Sequence, residues 1–481
     1  MIFNSFQFLW LFPIIFTLYY AVNCLNNRLQ EKKEKKTPNI SNYLLLIISY
    51  MLYFQWNPAY TLILLGVTLC TYAAAIIIEK QQAHGKKKYI IYTGALLSLM
   101  PLIVFKYYNF ILENFEYLFS SIGIKIGLTG LNWAVPVGLS FFTFQAVGYL
   151  WDVYYKKIKA ERNIFDYMLF VAFFPQILSG PISKAQSLLP QIKQKRTFDY
   201  TKAVQGLKWL LWGFFLKTVL ADRLGIYVDT VFSNYEYYTG LTCFVTSILY
   251  SFQIYGDFAG YSLMAIGVGR LLGFDLINNF NRPYLSASIT EFWRRWHISL
   301  STWLKDYIYI PLGGSRCSKL RSYWNILITF LVSGIWHGAN WTFIVWGLMH
   351  GFIQIIEKLL NIQQCNRTGL IKTGRIFITF LIVNFAWIFF RMPTIDDGFG
   401  VYRKIFTEFG STMFFDVPNL AMASIALLIL FTKEIFEEYY PQVSLFNNKN
   451  VVIRWSTYIV ITVIIILLGV FDSTQFIYVN F

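Results

Sequence analysis

The chain has 481 residues, of which 56% are hydrophobic, 20% aromatic and only 14% charged, and its net charge is +16. A soluble domain carries about 25% charged residues, so the composition excludes an ordinary cytosolic enzyme, a disordered chain and a secreted disulfide scaffold. The apolar stretches are continuous rather than alternating, which excludes an outer-membrane barrel and leaves an all-α polytopic membrane protein.

At roughly 20 apolar residues per span, about 11–13 membrane helices fit one membrane-embedded domain over residues 1–481. The opening segment lacks the basic region of a signal peptide, so its apolar run to Leu25 reads as an uncleaved helix with the N-terminus outside. Residues 42–56 and 58–78 form a hairpin broken at Asn57-Pro58. Residues 89–107 go out, 110–130 form a weakly acidic outer stretch (Glu113, Glu116, Lys125), and 131–151 return. Residues 164–183 lie between two basic loops and read as a re-entrant segment, since irregular backbone at depth is tolerated where it lines protein or a cavity. Residues 204–221 and 241–262 flank an acidic outer loop at 222–240. Residues 324–356 start and end inside and break at 334–341, giving halves of about 13 and 16 residues, short for full spans. Residues 376–392, 419–436 and 453–472 complete the bundle. The motif-bearing core is 131–356, and the C-terminal helices occupy 376–472.

Four short loops carry +13 of the +16: residues 26–41, 79–88, 156–162 and 184–202. Short basic loops between apolar segments mark the cytoplasmic side and bind anionic lipid heads. The charge therefore points to membrane lipids and not to nucleic acid. Five isolated cysteines (Cys24, Cys70, Cys243, Cys317, Cys365) give neither a disulfide framework nor a zinc site, and no His/Asp/Glu cluster has metal-ligand spacing. Cys317 lies in a basic loop where lipidation is an alternative.

There are four histidines. His84 sits in a Lys-rich loop and reads as solvated. His350 lies on an apolar face and reads as a packed, hydrogen-bonded ring. His337 stands inside an apolar run, bracketed by Gly334 and Gly338 with Trp336, Asn340 and Trp341 beside it, and an ionisable residue there is a functional-site hypothesis. A neutral imidazole can take a proton from a hydroxyl, as a general base in acyl transfer does. The alternative is a structural histidine at a helix break, and the local pattern leaves both open. The catalytic reading requires the ring to sit in a hydrated passage reachable from both leaflets. Residues 291–312 place Phe292, Trp296, Leu300, Trp303 and Tyr307 at helical spacing, with Arg294, Arg295, Ser301 and Lys305 largely elsewhere around the helix. That pattern reads as an amphipathic helix at the inner interface, anchored by Trp. His297 lies on it beside Arg294 and Ser301, where it reads either as a donor-binding residue or as an interfacial polar residue. No GxSxG elbow, Walker A loop or His-x4-Asp pattern occurs.

Two stretches carry a resemblance: residues 253–314, with QIYGDFAGYSLMAIGVGR and FWRRWHISLSTWLKDYIYIPLGG, and residues 333–341, SGIWHGANW. The opening MIFNSFQFL, the stretch PVGLSFFTFQ at 136–145 and FPQILSGPI at 174–182 extend it over most of 1–350. Together they resemble the membrane-bound O-acyltransferase family, in its bacterial branch that acts on envelope polysaccharides. The resemblance implies His337 as the catalytic histidine and His297 as its second motif histidine. Trp336, Asn340, Arg294, Arg295, Ser301 and Asp306 become candidate substrate- and donor-positioning residues. It also implies a ring-like bundle around a central tunnel in the bacterial cytoplasmic membrane. No cofactor or metal is bound; the donor is acetyl-CoA or an acyl-carrier thioester. The partners implied are an extracytoplasmic glycan-modifying protein and a cytoplasmic acyl carrier protein. The branch often has an acidic residue after Tyr-Ser in the GYS stretch, where this chain has Leu263. The expected activity is transfer of an acyl group, most often acetyl, to an extracytoplasmic polysaccharide. D-alanyl transfer to teichoic acid from a carrier thioester is the alternative within the class. A glycan or lipid transporter and an export scaffold are the alternatives outside it.

Overall fold

A computed structural model describes residues 3, 5–33, 39–124, 127, 129–178, 180–362 and 369–471. Met1, Ile2 and Asn4 of the opening motif, Glu34, Lys35 and Lys36 of the first basic loop, Lys125, Ser179, Cys365, Arg367 and Asp472 lie outside the described residues. Among the described residues all regular structure is helical.

The first five helices are α1 (Phe6–Lys33), α2 (Ile40–Phe54), α3 (Pro58–Lys80), α4 (His84–Leu102) and α5 (Tyr108–Ser121), the last two joined by a π-turn at Ile103–Tyr107. The predicted break at 57–58 is real. Asn57 caps α3 by accepting from the Ala59 amide at 2.9 Å, and Pro58 occupies the first helical position, where its missing N–H costs nothing. The expected outer stretch at 110–130 is helical to Ser121.

Then come α6 (Leu139–Tyr154), two short buried helices α7 (Ile164–Ala172) and α8 (Phe174–Ile177) in the segment read as re-entrant, and α9 (Ala185–Lys193). α10 (Tyr200–Phe214) runs through a second π-turn (Phe215–Ala221) into α11 (Asp222–Phe232), which fills much of the expected acidic loop. α12 (Gly240–Leu271) is the axis of the molecule. From Tyr250 to Gly269 it is buried on all sides except at Leu263. Its contact with α10 is made backbone to backbone. A Cβ on Gly213 would sit 2.7 Å from the Gly260 carbonyl oxygen, and one on Gly206 would sit 2.8 Å from that of Gly267. The two glycines on each helix are seven residues apart, the spacing that keeps one seam facing its partner.

The motif region forms α13 (Ile289–Arg295), α14 (Ile298–Leu304), a third π-turn (Lys305–Tyr309), α15 (Lys319–His337) and α16 (Trp341–Leu359). The expectation of one amphipathic helix at the membrane interface over 291–312 is corrected in two ways. The helix breaks at His297, whose φ of 43° lies in the left-handed region. Its apolar stripe is buried in protein, with Phe292, Trp296 and Leu300 each 1% exposed. The break at 338–340 falls where expected, but each half is 19 residues, about 28 Å long at 1.5 Å per residue and longer than the sequence suggested. α17 (Leu370–Arg391), α18 (Ile395–Thr407), α19 (Val417–Tyr439) and α20 (Val451–Leu468) follow.

By length and composition six helical segments can cross a membrane: 6–28, 58–80, 84–121, 370–391, 417–439 and 451–468. They show apolar side chains outward, such as Leu62, Leu97 and Leu467, as lipid-facing helices do. The central elements carry buried polar groups satisfied inside the protein. Lys217 of the second π-turn, for example, is 2.6 Å from both Asp222 and Asp257, the pairing that makes a buried charge tolerable.

Candidate active site

His337 is the last residue of α15 and is 2% exposed. Its ring is walled by Trp336, Trp346 and Phe390, with centroids 4.9, 5.0 and 5.1 Å away. The turn that places it is held from both sides. α15 and α16 close on glycines: a Cβ on Gly334 would lie 2.3 Å from the Phe343 carbonyl oxygen, and one on Gly347 would lie 2.5 Å from that of Phe330. Asn340 caps α16 by accepting from the Thr342 amide at 3.0 Å, and its amide donates to the Pro393 carbonyl at 2.7 Å.

The terminal carbonyls of α15, orphaned by the end of the helix, are met by the first π-turn. Tyr107 donates its hydroxyl to the Ile335 carbonyl at 2.7 Å. Lys106 donates its ammonium to the Trp336 carbonyl at 2.6 Å and stands 3.5 Å from the Ser140 hydroxyl. A cation at a helix C-terminus also suits the helix dipole. Sequence reasoning passed over Lys106; the available signal was a single lysine within an apolar segment.

His297 is fully buried, and its ring contacts Phe258 at 4.6 Å and Trp336 at 6.0 Å. Its tautomer follows from its neighbours. Asn279 Oδ1 accepts from the Ser299 amide at 3.1 Å, which fixes that atom as the oxygen. His297 Nδ1 lies 3.3 Å from the same oxygen, so Nδ1 is the donor. Nε2 is left as an acceptor, buried and without a hydrogen-bond partner. Asn279 in turn donates to Ser262 at 3.0 Å. Asn279 was also absent from the sequence reading, which had no means of pairing two residues 18 apart across an irregular loop.

The two motif histidines share one cluster through Trp336. Trp336 lies between them, and its indole N–H is buried without a partner. Beyond His337 the array continues through Trp346 to His350 at 5.0 Å. His350 is packed as expected and accepts from the Trp293 indole at 3.3 Å, while His84 is exposed.

The remaining candidates scatter. Arg295 makes a two-pronged pair with Glu438 at 3.1 and 2.9 Å. Asp306 pairs with Lys184. Ser301 donates to the Trp296 carbonyl at 3.2 Å. Arg294 and Ser301 border a groove of about 530 Å³ between α13–α14 and α15–α16, together with Trp293, Phe330, Lys305 and Lys358. Its lining holds three cations and no carboxylate. The groove reaches Ser333, one helical turn short of His337. The expectation of a hydrated passage bathing the His337 ring is therefore corrected: the ring is enclosed by aromatic side chains.

A model of the membrane-bound O-acyltransferase family matches residues 48–395. The chain is 36% identical over 436 residues to the probable alginate O-acetylase AlgI of Pseudomonas aeruginosa, covering 89% of this chain and 80% of that protein. It is 33% identical over 433 residues to the peptidoglycan O-acetyltransferase of Helicobacter pylori, covering 84% and 79%. It is 27% identical over 341 residues to the teichoic acid D-alanyltransferase of Streptococcus thermophilus, covering 65% and 78%.

Proposed function

The chain belongs to the membrane-bound O-acyltransferase family and is an O-acyltransferase, and from that premise we propose that it moves an acetyl group from a cytoplasmic thioester donor to an extracytoplasmic polysaccharide or its partner protein in the bacterial cytoplasmic membrane. The observation that carries this reading is the cluster at the end of α15. Among the described residues a buried acceptor, His297 Nε2, and a buried donor, the Trp336 indole N–H, are both without hydrogen-bond partners and flank the ring array that contains His337. Buried polar groups are ordinarily satisfied, so an unmet acceptor and donor side by side are poised for a substrate. In acyl transfer the two needs are a proton acceptor for the attacking hydroxyl and a donor to the oxyanion that develops on the carbonyl. We give the first role to His337 on the match of SGIWHGANW to the family's motif, with His297 Nε2 as the open acceptor beside it, and the second to the indole N–H.

The groove ending at Ser333 supports donor entry. Arg294, Lys305 and Lys358 stand unopposed by carboxylates, and Trp293, Leu300 and Phe330 offer apolar surface. That combination suits the phosphates and the pantetheine arm of acetyl-CoA or of a carrier protein. Because the His337 ring is enclosed, transfer requires the wall of Trp336, Trp346 and Phe390 to part, as lids and gates do in many enzymes. The greater identity to the two O-acetylating relatives favours acetyl over D-alanyl transfer.

The test is His337→Ala in cells, with mass spectrometry of surface glycans and a measure of membrane insertion. Loss of a general base costs about 10²–10⁴-fold in rate. Acylation should vanish while the variant inserts normally; undiminished acylation would reject the role. A requirement for a phosphopantetheine carrier in place of acetyl-CoA would turn the reading to D-alanyl transfer.

A further inference from the structure

The helix that leads into His297, α13, has only seven residues, too few to hold together without outside contacts. Carboxylates from two other helices hold its ends. Glu357 of α16 accepts from the Ile289 and Thr290 amides at its start. Glu438 of α19 takes the Arg295 guanidinium at its end through both oxygens, at 2.9 and 3.1 Å. We infer that Glu438 is a positioning residue that fixes the turn at His297, and with it the orientation and tautomer of the ring. The inference rests on the reading of His297 as part of the site.

Glu438 holds a second arginine as well. Arg282 Nε lies 2.8 Å from Glu438 Oε2. The two arginines belong to two segments that lie side by side. The Asn281 amide donates to the Arg295 carbonyl at 2.9 Å, and the Ile298 amide donates to the Asn279 carbonyl at 2.9 Å. Asn279 Oδ1 in turn meets His297 Nδ1 at 3.3 Å. One segment therefore carries the residue that sets the tautomer, the other carries the histidine, and Glu438 ties the two together.

Each segment contains a strained residue, with φ of 47° at Arg282 and 43° at His297. Residues other than glycine rarely adopt this region and persist there only where their surroundings over-determine the conformation. The neighbouring carboxylates do not supply that constraint. Glu291 pairs with Arg295 at 2.7 Å, but within α13 itself. Glu437 lies 3.8 Å from Arg282 and pairs with Lys433 at 2.7 Å. Among the described residues Glu438 alone is paired with both arginines. The side chains of Glu438, Arg295 and Arg282 are 13%, 18% and 24% exposed, so solvent screens these pairs less than it screens pairs at an open surface.

The experiment uses the full chain in lipid with labelled histidine, read by solid-state nitrogen NMR. The chain has four histidines, and H297N identifies the signal of interest. In the wild type the His297 ring should hold one tautomer, with its proton on Nδ1. E438Q keeps the size of the side chain but turns N–H donors toward two guanidiniums that carry donors only. Its His297 signal should divide between the two tautomers, while that of the exposed His84 stays unchanged. With acetyl-CoA as donor, kcat should fall by about 10- to 100-fold with KM little changed, the loss expected of a ring displaced by up to about 1 Å. A purely structural role would lower the folded fraction and leave kcat per folded molecule alone. Should E438Q fail to fold, R282Q decides, since it leaves the Arg295 pair in place and should divide the same signal to a smaller degree. A divided signal with undiminished acyl transfer upholds the clamp and removes His297 from the reaction. An undivided His297 signal in every folded variant, whatever the melting temperature, would overturn the assignment.

Discussion

The placement of the His337 ring depends on how closely α15 and α16 approach, and Gly334→Ala tests this directly. The added Cβ would stand 2.3 Å from the Phe343 carbonyl oxygen, whereas ordinary contact begins at 3.4 Å. The shortfall is 1.1 Å (3.4 − 2.3), and the obstructing atom is backbone in the first turn of α16, so no rotamer change can relieve it. The helices must separate by about that distance. Overpacking of this kind costs about 1–3 kcal/mol, partly offset by about 1 kcal/mol from replacing glycine in a helix, so the variant should fold. Residue 334 lies three positions before His337, so the ring moves relative to the wall formed by Trp346 and Phe390. A displacement near 1 Å costs on the order of 10²-fold in rate. The assay is incorporation of labelled acyl group into glycan by purified protein, normalised to folded protein by thermal melting. Gly66→Ala serves as the control, since a Cβ there meets nothing within 4 Å. A Gly334→Ala enzyme as fast as the control, with the same melting temperature, would show that the approach of the two helices does not fix the site.

Lys106→Met removes the ammonium that holds the Trp336 carbonyl at 2.6 Å. The buried carbonyl left unpaired costs about 1–3 kcal/mol of stability, so the melting temperature should fall and, with the end of α15 loosened, turnover should fall too; an unchanged melting temperature and rate would remove Lys106 from the site. His297→Asn and His297→Val should both lose activity, but only Val should also lower the melting temperature. Position 297 has φ of 43°, which Asn tolerates and a β-branched residue does not, so equal melting of the two would contradict the strained turn. Arg295→Lys forfeits the two-pronged pair with Glu438, since an ammonium cannot present a planar fork. A loss of about 1 kcal/mol should appear as a lower melting temperature, and no shift would mean the pair is replaceable.

Helix order was legible where turn chemistry is local. Asn57-Pro58 and Gly338 to Asn340 announce their breaks by capping residues alone, and both breaks fall where the sequence puts them. The position of His337 beside such a break was legible for the same reason. The stripe Phe292, Trp296, Leu300, Trp303, Tyr307 was misread because its spacing is the same whether the apolar face meets lipid or protein. The break at His297 depends on Asn279, outside any local window. Lys106 could not be assigned a role because its partner, the Trp336 carbonyl, is 230 residues away. Polar residues such as Lys217 and Asp257 lower the hydropathy of central helices whose charges are cancelled only in three dimensions.

The glycine contacts between α10 and α12 and between α15 and α16 constrain how the enzyme can breathe. Where glycines bring two main chains together, the nearest obstacle is backbone, which cannot rotate aside, so each couple behaves as a stiff plate. Between the plates lie indoles and phenyl rings, which can tilt. Trp336, Trp346 and Phe390, the rings around His337, are therefore the compliant gasket of the machine.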